Sequence, residues 1–155
     1  MVDDTYIHGT CVAVAGFGVL LRGPSRSGKS DLALRLIDEG AQLVADDQCI
    51  VEVAADGLVL KAPAALSGLL EVHGLGVIHM QAAAQAPLAL IVDLVIQDAE
   101  PQFPKAGDPL PVSELCGFSV PTIALWGFAP SSAAKVRLAV HALAHDLIVT
   151  DQGIE

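Results

Sequence analysis

The stretch Gly23-Pro-Ser-Arg-Ser-Gly-Lys-Ser30 constrains this chain more than any other. It fits G-x-x-x-x-G-K-[ST] at every position, the pattern of a P-loop that wraps phosphate groups in backbone N–H donors. Gly23 and Gly28 let the backbone curl tightly enough for successive N–H groups to point inward. Lys29 supplies a compact cation for phosphate oxygens, and the Ser30 hydroxyl is a suitable Mg²⁺ ligand. Pro24, Ser25, Arg26 and Ser27 complete the loop, and Arg26 has the reach to touch a phosphate. Residues 18–21 read as a short buried strand and residues 29–39 as a helix. That helix would place its positive N-terminal end under the phosphates. Nucleotide binding is the expectation that follows.

At 155 residues the chain is read as one domain, 1–155, long enough to bury a real core. Its residues are 53% hydrophobic but only 4% aromatic, so that core must be aliphatic and rich in alanine. The net charge of −10 leaves no basic stripe for nucleic acid. It is compatible with a protein or a small-molecule partner. Cys11, Cys49 and Cys116 are odd in number and widely spaced, which suggests buried reduced thiols rather than disulfides or zinc. The start, Met-Val-Asp-Asp, lacks the features of a signal peptide. The most apolar run, 88–96, is broken by Asp93 and too short to span a bilayer. A soluble, cytoplasmic protein is expected.

Along the chain, residues 7–14 form a β-branched run that Gly16-Phe-Gly18 turns back as a hairpin into the loop strand. In the helix after Ser30, Leu32, Ala33, Leu36 and Ile37 share one face, with Asp31, Arg35 and Asp38 outward and Gly40 as the stop. Residues 42–45 read as a strand, and 49–53 with 58–61 as a hairpin around Asp56-Gly57. Residues 69–80 carry a polar, glycine-punctuated piece within an apolar stretch. Residues 88–97 and 120–125 are strands. Between them Pro101, Pro104, Pro109 and Pro111 impose an irregular loop. A C-terminal helix is expected over 131–147, capped by Ser131 or Ser132, with Val136, Ala139, Val140 and Leu143 inward. The whole predicts an α/β fold: a P-loop domain with a mixed β-sheet, one helix after the loop and one at the C-terminal end.

Phosphoryl transfer also needs carboxylates. Residues 88–93, Leu-Ala-Leu-Ile-Val-Asp, have a generic Walker B look, whereas 43–47 end in the adjacent pair Asp46-Asp47. Neighbouring carboxylates are costly to keep charged without a cation or a shared proton, which favours Asp46-Asp47 as the functional pair. His8, taken alone, reads as a structural or surface residue, and His141 with His145 as a helix surface despite their metal-ligand spacing.

Together these pieces resemble the catalytic domain of the HPr kinase/phosphorylase family. The matching residues are His8-Gly9, the Gly-x-Gly-Val-Leu-Leu lead-in, the P-loop, Ala41-Gln-Leu-Val-Ala-Asp-Asp47, and Glu71-Val-His-Gly-Leu-Gly-Val-Ile78, similar to the signature E-I-R-G-L-G-I-I. The resemblance is close from His8 to about Met80 and weak beyond, where Ser131-Ser-Ala-Ala-Lys-Val-Arg137 is similar to the endings of short members. It implies transfer of phosphate from ATP, with Mg²⁺, to a serine of the phosphocarrier HPr or an HPr-like protein, and reversal of this with inorganic phosphate in many members. It further implies Asp46 as the base, Ser30 and Glu71 as Mg²⁺ ligands with Asp47 in support, and His8 beside the reacting phosphate. By the same resemblance Asp93 is a structural position. His73 stands where the signature has Arg, and Pro24 and Arg26 where the family usually has Asp and Gly. With seven residues before His8, the resemblance implies a short form without the family's N-terminal domain. Self-association is a further expectation, from the apolar composition and the family's hexameric habit. The rival readings are a P-loop small-molecule kinase, for which no Arg-rich lid is visible, and a nucleotide-binding sensor without turnover.

Overall fold

The computed structural model describes residues 4–96 and 107–150. Its centre is a strand buried on both faces, β9 (Ala86–Val95), flanked by β3 (Phe17–Arg22) and β11 (Phe118–Trp126), both parallel to it. From β3 the sheet continues through β2 (Thr10–Val14) to β4 (Gln42–Ala45), each step antiparallel. Along its other edge β9 meets β6 (Gly57–Lys61), which leads to β5 (Gln48–Ala54) and β1 (Thr5–His8). β10 (Val112–Leu115) pairs with β11. The mixed sheet expected from the sequence is present, curled by these branches off β9.

Alternation sorts the strand residues between two cores. Val12, Val19, Leu21, Leu90, Val92 and Leu94 face α1 (Lys29–Asp38) and α2 (Ser132–Ala144). Cys11, Leu20 and Ile91 face the other way, into a core closed by β5 and β6 residues such as Val51 and Leu60. Burial on both faces explains why these strands read as continuous apolar runs. On α1, Leu32, Ala33 and Leu36 are fully buried, while Asp31 and Asp38 face outward. On α2, Val136 and Val140 are buried, and Ala139 and Leu143 pack against the same core.

Four local expectations need correction. The run 7–14 is not one strand: it breaks at Gly9, so that β1 joins β5 while β2 joins β3 and β4. A Cβ at Gly9 would sit 2.9 Å from the Leu21 carbonyl oxygen, so only glycine fits the crossing. The helix expected to 147 ends at Ala144, and Ser131 at its N-cap makes no side-chain capping hydrogen bond. The Ser132 hydroxyl instead donates to the Trp126 carbonyl oxygen at 2.5 Å. The β5–β6 turn falls on Ala55-Asp56, one residue earlier than expected. Finally, β10 occupies part of the span assigned to no element. The proline-rich loop lies partly outside the described residues, as does Gln97 at the end of the expected strand.

The glycine-punctuated piece is a separate two-stranded ribbon, β7 (Leu69–Val72) and β8 (Gly76–His79). Leu70 is fully buried and anchors it. Strand alternation then turns Glu71 outward.

Candidate functional site

The glycine loop joins β3 to α1, and Gly28 forms the helix N-cap with φ 99° and no side-chain cap. That φ is open to glycine and strained for other residues. The uncapped first turn therefore keeps N–H groups available to an anion. Lys29 folds back over the loop, its Nζ donating to the carbonyl oxygens of Gly23 at 2.7 Å and Pro24 at 3.0 Å. The Ser27 hydroxyl is buried and has no hydrogen-bond partner among the described residues. The Lys29 ammonium and the open amides of the first helical turn form a donor set suited to phosphate oxygens.

A cavity of about 270 Å³ opens over the loop, lined by Ser25, Arg26, Gly28, Lys29 and Ser30. Gly23, Pro24 and Ser27 are not on its wall. Across the cavity stand His8, Asp46, Asp47, Glu71 and His73. The structure thus brings together every candidate residue that faces the cavity from outside the loop, although they come from β1, the β4–β5 turn and the ribbon.

Asp46 is the best-held of the carboxylates. It is 8% exposed. Its Oδ1 accepts from the hydroxyls of Thr10 and Ser30, each at 2.9 Å, and its Oδ2 accepts from the Glu71 backbone N–H at 3.0 Å. One carboxylate therefore ties the glycine loop, β2 and the ribbon together. Asp47 behaves differently. It sits at φ 68°, exposed, with Oδ1 3.5 Å from His8 Nδ1. The left-handed kink at Asp47 is what turns two adjacent side chains in different directions into one cavity.

Hard oxygen donors from Ser30, Asp46 and Glu71 suit Mg²⁺, which takes one or two carboxylates and completes its shell with water and phosphate. No group of three or more His, Cys, Asp or Glu side chains encloses a metal site among the described residues.

Asp93 stands apart. Arg22, opposite it in register, donates to its Oδ1 at 2.8 Å and its Oδ2 at 3.0 Å. It lies on the wall of a second, mainly apolar cavity between β11 and α2. The rings of His141 and His145 meet at the exposed end of α2 with centroids 4.5 Å apart and planes tilted by 54°, and neither is on the loop cavity. Cys11 and Cys49 are buried, Cys116 is half-buried, and all three are free thiols.

Sequence reasoning missed three contributors. Thr10 carried no signal beyond being a polar residue in a buried strand. Phe128, which lies against Gly28, and Arg35, which holds the Gly127–Ala129 turn, act through contacts that only the tertiary fold creates.

These features define an α/β domain whose site lies at a strand–glycine loop–helix junction facing a cluster of carboxylates. The chain belongs to the HPr Serine kinase C-terminal domain family, whose model matches residues 1–154. The match runs well past Met80, beyond the region where the sequence resemblance was close. The HPr kinase/phosphorylase of Geobacillus thermodenitrificans is 42% identical over 117 residues, covering 69% of this chain and 37% of that protein. That of Lactobacillus acidophilus is 31% identical over 125 residues, covering 76% and 39%. The chain thus spans well under half the length of these curated relatives. The structure of the HPr(Ser) kinase/phosphatase from Coxiella burnetii superposes with a TM-score of 0.71 at 26% identity, covering 92% of this chain and 89% of that one. No helix among the described residues is long and apolar enough to cross a membrane.

Proposed function

We propose that this chain is an ATP- and Mg²⁺-dependent protein serine kinase acting on HPr or an HPr-like phosphocarrier. The observation that carries the reading is the link from Ser30 through Asp46 to Glu71, which joins the phosphate loop to the signature ribbon. Family membership and the names of the relatives supply the acceptor; the site supplies the chemistry. Bound ATP brings the phosphoryl group, and Mg²⁺ neutralises charge on it. Lys29 and the open amides at the start of α1 would hold the phosphates in line, Ser30 and Glu71 would hold the ion, and Asp47 would support it. Asp46 accepts the proton as the acceptor serine oxygen attacks the γ-phosphorus and ADP leaves, and His8 stands beside the group in transit. In reversal, an oxygen of inorganic phosphate attacks the phosphorus of phosphoserine to form pyrophosphate, and the same carboxylate returns the proton to the departing serine oxygen. Positioning, charge neutralisation and one proton acceptor are what this reaction asks of a protein.

A second reading exchanges the two aspartates. Both oxygens of Asp46 are already engaged by three donors, while Asp47 is exposed beside His8. In that arrangement Asp46 orients Ser30 and the metal ion, and Asp47 takes the proton. Asp46→Asn and Asp47→Asn, each assayed for Mg-nucleotide binding and for transfer to the HPr serine, separate the two. The first reading requires Asp46→Asn to bind nucleotide and lose transfer. Weakened Mg²⁺-dependent binding in Asp46→Asn, with transfer lost in Asp47→Asn, selects the second. Near wild-type transfer in both variants contradicts each reading.

A further inference from the structure

If ATP is held by its phosphates at residues 23–30, its base must lie somewhere along the same rim. In open parallel arrangements ligands sit beyond the carboxyl ends of the strands. Two of the three parallel strands, β3 and β11, run on from that end through described residues to the next helix. The end of β3 is the glycine loop itself, and the end of β11 is the short turn from Gly127 to α2.

That turn presents Phe128. Among the described residues it is the one Phe, Tyr or Trp on the wall of the loop cavity, where the other rings are the imidazoles of His8 and His73, in a chain with only four Phe, one Trp and one Tyr. Its ring lies on the loop: ring carbons come within 3.2 to 3.3 Å of where a Cβ on Gly28 would stand. The ring is nonetheless 49% exposed. A phenyl ring with one side against the loop and so much surface left open, in a cavity otherwise lined mostly by charged, hydroxyl and imidazole groups, has the form of a stacking platform.

The turn is also unusually well fixed. Gly127 packs so closely on the Ser27 carbonyl oxygen that a Cβ there would collide with it. Arg35, two turns along the helix that the loop begins, brackets Phe128. Its Nη1 donates to the Ala129 carbonyl oxygen at 3.0 Å and its Nη2 to that of Gly127. Asp31 steadies the guanidinium by accepting from Nε at 3.1 Å. The Ala129 N–H closes the turn on the Trp126 carbonyl oxygen at 3.1 Å. The ring is thus positioned before any ligand arrives, which lowers the ordering cost of binding.

We infer that Phe128 is the platform on which the nucleobase stacks, held in register with the phosphate loop by Arg35. This deepens the proposed function and rests on its nucleotide reading. Stacking uses the π-face that every base has, so ATP and GTP are both served.

The test compares two ligands by calorimetry, a non-hydrolysable ATP analogue and inorganic tripolyphosphate, each with Mg²⁺. Phe128→Leu keeps bulk over Gly28 and removes the π-face; Phe128→Trp keeps the π-face. Phe128→Leu is expected to weaken the nucleotide about tenfold, by the usual size of base–aromatic stacking, and to leave tripolyphosphate unchanged. Phe128→Trp is expected to bind the nucleotide as the wild type does. Unchanged nucleotide affinity in Phe128→Leu overturns this inference alone. An equal loss for both ligands also overturns it, because the ring would then serve only to shape the loop. Wild-type protein that binds neither ligand overturns the nucleotide reading, and this inference with it.

Discussion

The Ser30 hydroxyl donates to Asp46 Oδ1 at 2.9 Å, joining the first turn of α1 to the end of β4. This bond explains how a loop motif and an acidic pair sixteen residues apart become one site. It also fixes the Ser30 oxygen while leaving both of its lone pairs free to accept a cation. Groups that orient a metal ligand commonly matter about 10- to 100-fold in metal affinity. Ser30→Ala is therefore expected to weaken Mg-nucleotide binding by about tenfold or more. Binding in the presence of chelator should change little. A double-mutant cycle of Ser30→Ala with Asp46→Asn, read by titration calorimetry, should be non-additive because the residues share one interaction. Additive losses would show that the two act independently.

Asp93 gives the contrasting case. Its bidentate partner Arg22 is 30% exposed and Asp93 is 42% exposed, so the pair is well screened by solvent. Asp93→Asn is expected to cost no more than about 1 kcal/mol in urea denaturation. Phosphotransfer should persist in the same variant. Loss of transfer without loss of folding would restore the generic Walker B role to this strand.

Gly127 tests the close packing of the turn after β11 on the glycine loop. Ala at this position would drive a methyl group into the Ser27 carbonyl oxygen, and backbone cannot yield as a flexible side chain does. Overpacking of this kind costs about 1–3 kcal/mol. Gly127→Ala should lower both the urea midpoint and the affinity for tripolyphosphate, since the loop itself is displaced. Wild-type affinity in that variant would mean the two segments are mechanically independent.

Cys11 provides a pH signature. Burial pushes its thiol well above the ordinary value of 9.0, and a hydrogen bond and charge from Cys49, with the charge of Asp46, push it further. Above the unfolded thiol's value, the unfolded chain gives up this proton while the folded chain keeps it. The contribution is therefore complete below about pH 8.5 and falls as pH rises, by at most about tenfold in the folding equilibrium per pH unit. Urea midpoints between pH 8 and 10 should fall more steeply for the wild type than for Cys11→Ala. Identical slopes would contradict the assignment. At pH 8, half-buried Cys116 should react with a thiol reagent well before Cys11 or Cys49.

The parts of the site that the sequence revealed are those written in local pattern. Gly23 to Ser30 announces its loop, Leu32, Ala33 and Leu36 announce the buried face of α1, and the Asp46-Asp47 pair stands out by charge alone. Glu71 was legible through its signature neighbours. What stayed hidden depends on pairing between distant segments. The break at Gly9 follows from β1 and β2 choosing different partners, which no property of residues 7–14 specifies. β10 is short, lies among prolines and exists because β11 offers an edge. Arg35 meets Ala129 across 94 residues, so its clamp on the Phe128 turn has no trace in the local pattern, where it reads as an outward-facing charge. Thr10 is the same kind of case, silent until β2 is laid beside β4 and its hydroxyl meets Asp46.

The account's central claim is serine phosphotransfer, and one measurement reaches it directly. Purified protein is incubated with ATP labelled at the γ-phosphate, Mg²⁺ and HPr, and the labelled residue of HPr is identified, with Lys29→Ala as the control. The account predicts label on a serine of HPr, dependent on Mg²⁺ and lost in the Lys29→Ala variant. ATP binding with no label on HPr in the wild type would contradict it and leave a nucleotide-binding domain without this chemistry.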